Sequence, residues 1–197
     1  TDIRYRKSVD EAGLAREYAK NTVQKKIAFF DETLVDDVVR TGAIEEAEDA
    51  ALENEEFKVY IQPKFRYNGQ KSEVIGGEAL VRWIDQNGDI KPPDEFIPVF
   101  EENGFIMELD QYMWEEVCKL LRRWLDEGKR LVPISVNVSR TYLSKYDVVD
   151  YISQLVSMYE IPIQYLQIEI TETSENEETI ACAKKFKDAG FTLMMDD

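Results

Sequence analysis

Four lone polar residues stand at the ends of apolar runs in this chain. They are Glu78 in GGEALVRW, Asn137 in PISVNVS, Glu169 in YLQIEITET, and Asp196, followed by Asp197, in FTLMMDD. A strand packed on its outer face has little use for a carboxylate or amide unless that group meets a cation, a donor or a substrate. Carboxylate and amide oxygens suit hard divalent cations such as Mg2+ or Mn2+. Three carboxylates and an amide would hold one such ion, and Asp197 would help to hold a second. Paired ions activate water and stabilise in-line displacement at phosphorus. The plainer alternative is that these groups cap strand ends or bond local backbone. That serves for any one of them alone and poorly for four in regular succession.

Parallel strands are needed to bring the four together. Asn137 and Glu169 stand 32 residues apart, and Glu169 and Asp196 27. Each interval is close to one strand–helix repeat, for which a βαβ unit needs about 30 residues. Side chains alternate along a strand. Ile134, Val136 and Val138 therefore share one face, with Ser135 and Asn137 on the other. Leu166, Ile168 and Ile170 likewise oppose Gln167 and Glu169, and Glu78, Leu80 and Arg82 project together. An α/β barrel carries its chemistry at the C-terminal ends of its strands, where these residues fall.

The remaining elements follow from punctuation and period. FKVYIQP reads as a strand closed by Pro63. Asn68-Gly69 marks a turn into EVIGGEALVRW, so these two strands are expected to be antiparallel. Pro92-Pro93-Asp94 introduces a helix ended by Gly104. Pro98 suits only a first turn, which would move the start towards Ile97. Residues 110–126 carry the clearest helical stripe, with Asp110 as its cap and Gly128 beyond its end. Helices over about 145–159 and near Glu177–Gly190 alternate with the later strands, which argues for α/β architecture with right-handed crossovers. Trp83, Trp114 and Trp124 read as core rather than as stacking platforms for bases. Gly76-Gly77-Glu78 is not a phosphate loop, because no helix start follows it.

Composition narrows the chemistry. The 197 residues contain no histidine, which excludes Ser-His-Asp and Cys-His catalysis and imidazole-bound zinc. Cys118 and Cys182 are the only cysteines, so a disulfide framework is not expected and a reducing cytoplasm is the expected location. The net charge of -16 opposes binding to polymeric nucleic acid or anionic membrane, though not to a small anion held through a metal. No run approaches the roughly 18 apolar residues of a membrane span. Residues 33–52 read as an acidic linker helix whose charges are solvated, with Ile44, Ala47, Ala51 and Leu52 as its docking face. Residues 9–31 have the pattern of a helix, turn and strand too small to hold a core, and look like the tail of a domain lying upstream.

The segments FKVYIQP, GGEALVRW, FIPVFEENGFI, SVNVS, IEITET and MMDD, in this order and spacing, resemble the EAL family of bacterial cyclic di-GMP phosphodiesterases. The resemblance covers residues 53–197. Residues 1–32 resemble more loosely the end of a GGDEF domain, without its signature. The EAL resemblance implies a (β/α)8 TIM-barrel-type α/β domain with an antiparallel first strand, present here through its fifth strand. It implies Mg2+ or Mn2+ held by Glu78, Asn137, Glu169 and Asp196, with Asp197 serving a second ion. Catalysis would rest on Glu78, Glu169, Asp196 and Asp197. Gln62 and Arg82 match ligand-contacting positions, and Glu172 the glutamate that anchors the loop after the last strand. The implied reaction is hydrolysis of cyclic di-GMP to linear pGpG. The alternative is a catalytically inert EAL domain that binds cyclic di-GMP or a protein partner in signalling. The family pattern continues past Asp197 with a dimerisation loop and strands bearing a lysine, a glutamate and a glutamine. The expectation is therefore a piece of a larger protein, inactive by itself, whose full-length form is open to homodimerisation. Lys64 departs from the family's usual aliphatic residue, and Arg140-Thr141 from its usual Pro-Arg; neither is expected to touch the metal set.

Overall fold

Asn68 and Gly69 make the turn that organises the first two strands. Asn68 Oδ1 accepts the amides of Gln70 and Lys71 at 3.1 and 2.9 Å, and Gly69 takes the left-handed conformation that glycine adopts without strain (φ 88°). The turn joins β1 (Phe57–Tyr67) to β2 (Ser72–Ile84) in an antiparallel pair. β1 runs through Pro63 instead of stopping there. It is an edge strand of the described sheet, and at an edge a proline can turn its missing donor away from the ladder. Lys64 faces Gly76 and Phe65 faces Val74, so Ile75 is the extra residue of a bulge in β2.

The computed structural model describes residues 11–13, 15, 16, 30, 32–139, 148–171 and 177–196. The strand expected to end near Asp31 lies outside them, as does most of the helix before it. The acidic helix is α1 (Glu32–Glu53). After β2 come the short β3 (Ile90–Lys91), α2 (Pro93–Asn103), α3 (Ile106–Asp126) and β4 (Ile134–Asn137). Then follow α4 (Val148–Met158), a 3-10 turn over Ile163–Tyr165, β5 (Leu166–Thr171), α5 (Glu177–Asp188) and β6 (Thr192–Asp196). The sheet order is β1-β2-β4-β5-β6, with β3 on β2, and β2, β4, β5 and β6 run parallel. The expected α/β class and antiparallel first strand are both present. The β2–β4 seam is short, with only Gly77–Ile134 and Glu78–Ser135 in register among the described residues.

Two helices start earlier than their sequences suggest. α2 opens at Pro93 and carries Pro98 in its interior. Burial of Phe96, Val99 and Phe100 outweighs the hydrogen bond lost at the proline. α3 opens at Ile106, one turn before Asp110, so Asp110 is no cap. It lies inside the helix and is buried.

The helices pack on the apolar face of the sheet in two clusters. Phe57, Trp83, Phe96, Phe100 and Phe105 form the first, with ring centroids 4.7 to 6.4 Å apart, the range preferred by tilted and edge contacts. α1 closes it with Ile44 and Ala51, while Glu45, Glu46 and Asp49 face solvent. The second cluster sets Trp114, Val117 and Leu121 of α3 against Ile134, Val136, Leu166 and Ile168 of β4 and β5. Trp83 and Trp114 are thus core, as expected.

Candidate active site at the strand ends

Ladder register brings the polar residues of the strands onto one face. Glu78 stands opposite Ser135, Asn137 opposite Glu169, Glu169 opposite Met194, and Asp196 opposite Thr171. Since residues two apart share a face, Glu78, Asn137 and Glu169 lie on the side of the sheet away from the helices, and the β6 backbone brings position 196 beside the end of β5. Gln62 faces Glu78 across the hairpin and joins them, and Arg82 lies further along the same side of β2. Glu172 and Asp197 lie outside the described residues. Gly77 makes the tight packing beside Glu78 possible. A Cβ there would lie 2.5 Å from Ile61 Cγ2, and the Gly77 amide donates to Pro133 O at 2.9 Å.

Lys64 was not anticipated as part of this site. Its Nζ donates to Ser135 Oγ at 3.0 Å and lies 3.2 Å from Glu169 Oε2. β1 and β5 are three inter-strand steps apart, about 14 Å in a flat sheet. A lysine side chain bridges them only because the sheet curls, which is the geometry of a barrel wall. Among the described residues no three His, Cys, Asp or Glu side chains gather closely enough to hold a metal. The donor chemistry still fits a hard cation. Its members are oxygen donors on one face, and Glu169, only 4% exposed, already pairs with a positive charge.

Beyond the short β2–β4 seam a cavity of about 380 Å³ opens, lined by residues of β2, β4, α2 and α3. Ile97, Met113 and Val138 give it apolar walls, and Arg82, Asn137 and Asp110 give it polar ones. Arg82 donates to Val81 O at 2.7 Å, and its guanidinium lies 5.8 Å from the Tyr60 ring centroid. Helix α3 clamps the chain that leaves β4. Trp114 Nε1 donates to Asn137 O at 2.8 Å, and Asp110 Oδ2 accepts the Ser139 amide at 3.0 Å. Burial pushes the Asp110 carboxyl up to about 7, and Glu101 adds to the rise while the Ser139 amide opposes it. A signal for Asp110 was present in the sequence. With Trp114, Val117 and Leu121 it keeps helical spacing, so it is a lone acid on an apolar helical stripe.

A parallel sheet with an antiparallel first strand, helices on one of its faces and oxygen donors on the other define an α/β fold of TIM-barrel type. Residues 44–197 match the EAL domain, and the chain belongs to that family. The match begins at Ile44, where α1 meets the aromatic cluster. The chain is 36% identical over 123 residues to the signaling protein YkoW of Bacillus subtilis, covering 62% of this chain and 15% of that protein. It is 30% identical over 150 residues to the cyclic di-GMP phosphodiesterase PdeR of Escherichia coli, covering 75% and 22% respectively. Among solved structures it is similar to the PaMucR phosphodiesterase in complex with c-di-GMP. That likeness has a TM-score of 0.71 and 25% identity, over 79% of this chain and 63% of that one. The chain thus spans less than a quarter of the length of these two curated relatives. Among the described residues, no helix is long and apolar enough to cross a membrane.

Proposed function

We propose that the full-length protein hydrolyses one phosphodiester bond of cyclic di-GMP to give linear pGpG. The observation that supports this reading is the ladder register that sets Glu78, Asn137 and Glu169 on one face of adjacent strands, with β6 carrying Asp196 next to them in the sheet. These residues would hold Mg2+ or Mn2+, with Asp197 serving a second ion. The bound ions would polarise a phosphodiester and make hydroxide available near neutral pH. Gln62 and Arg82 would bind and orient the ligand from the hairpin side.

The cavity behind Arg82 suits one guanine base of that ligand. Its apolar walls match the base faces, and arginine pairs with guanine O6 and N7. Asp110 would accept from the N–H groups on the opposite edge of the base. Trp114 and Asp110, by fixing residues 137–139, hold the cation side and the base side in one geometry.

Release of pGpG from cyclic di-GMP by the full-length protein with Mg2+, followed by chromatography, tests the reading. Tight binding of cyclic di-GMP without turnover in the presence of Mg2+ would instead identify a sensing module.

A further inference from the structure

We propose that Lys64 is a built-in counter-cation that competes with the divalent ion for Glu169, so that the ion binds by displacing an ammonium already in place. This rests on the reading of the strand-end residues as a cation site.

Several features of the hairpin direct Lys64 there. The bulge at Ile75 falls directly beside the Lys64–Gly76 pair, and bulges re-aim side chains next to functional sites. Gly76, facing Lys64, has no side chain to obstruct an arm crossing β2 towards β4 and β5. At the far end the ammonium meets two fixed acceptors. Ser135 is fully buried, and its hydroxyl also donates to Gly77 O at 3.4 Å, while Glu169 is 4% exposed. A carboxylate buried to that degree requires a positive partner, and Lys64 supplies one from within the chain. The Lys64 side chain keeps 29% of its own exposure, so a path out of the site remains open to it.

A divalent ion at Glu169 and an ammonium 3.2 Å from the same carboxylate repel one another in a weakly screened setting. Occupancy by one must therefore weaken the other. Lys64 is in these terms a positioning residue. It holds Glu169 in the metal-free protein and sets the concentration of cation needed to load the site.

Calorimetric titration of the full-length protein with Mn2+ alone decides the matter. Lys64→Met should bind Mn2+ roughly tenfold more tightly than the parent. Lys64→Arg, which keeps the charge, should stay near the parent. Equal or weaker binding by Lys64→Met, with binding by the parent intact, would overturn the role of Lys64 and leave the cation site standing. No Mn2+ binding by the parent would remove the cation site itself. The unaltered protein gives a second readout that does not depend on the variants folding. Acetylation of the Lys64 amine, followed by mass spectrometry, should rise several-fold when Mn2+ is added. An unchanged or slower reaction would rule out displacement.

Discussion

Two regions of the molecule bury a carboxyl group, and they do so by different means. On the inner face of the sheet, Glu169 is built in by a strand and paired with the Lys64 ammonium. On the helix side, Asp110 is built in by α3 and meets a peptide N–H at Ser139, with the acidic Glu101 as the charge that acts on it. The first is paired with a cation. The second meets only a peptide N–H and a like charge, and burial raises its pKa to about 7. The same acidic group is therefore paired in one place with an ammonium and in the other with a peptide N–H. The partner on hand decides which, more than the depth of burial does, for both residues are less than a tenth exposed.

Removing the ligand oxygen should break the first arrangement most severely. Glu169→Gln in the full-length protein should lower pGpG release by more than the roughly 100-fold typical of losing an outer-shell partner of a metal. Chromatographic assay against the parent checks this, and activity within tenfold of the parent would count against Glu169 as a ligand.

The second arrangement predicts a pH dependence of stability. The folded-state pKa of Asp110 lies above its ordinary value of 3.8, so the folded protein holds this proton more tightly than the unfolded chain. The stabilisation it gives is complete below about pH 4 and is lost as pH rises through about 7. At most it amounts to about 4 kcal/mol. Urea unfolding at pH 5 and pH 8 should show a smaller difference for Asp110→Asn than for the parent.

Smaller effects separate the scaffolds that hold the two groups. Gly77→Ala should destabilise the strand-built side by about 1–3 kcal/mol through overpacking against Ile61, and thermal unfolding reads it. Trp114→Phe should cost about 1 kcal/mol through the lost bond to Asn137 O, and should weaken cyclic di-GMP binding in the full-length protein. Tighter binding by Trp114→Phe would show that the clamp on residues 137–139 opposes the ligand.

The strand-built side was readable from the sequence because its period is two. A lone polar residue in a run such as ISVN stands out, and the register then places Asn137 opposite Glu169 without further information. The helix-built side followed the same logic at a period of 3.6, but Asp110 also fits the pattern of a cap, and only the earlier start of α3 at Ile106 shows that it is none. Lys64 was legible as a departure from the family pattern, yet not as a partner of Glu169. That contact depends on the curl of the sheet and on the bulge at Ile75, which are tertiary facts. Pro63 and Pro98 misled for a related reason. An open sheet edge in one case, and a helix fastened by Phe96 and Phe100 in the other, tolerate what local propensity disfavours.

The short seam between β2 and β4 bears on how the site comes together in time. The β1–β2 hairpin closes over a four-residue turn and is local in the chain, whereas β4 joins it after 49 intervening residues and, among the described residues, through two ladder pairs. Glu78 sits on that seam, with the hairpin behind it and Asn137 and Glu169 across from it. A hairpin formed early would carry Gln62, Lys64, Glu78 and Arg82 as one unit, and the parallel strands would deliver Asn137 and Glu169 as another. The lowest-energy opening of the sheet would then part the two sets without unfolding either. Amide hydrogen exchange at Gly77, whose N–H bonds Pro133 O across this seam, would register each such parting.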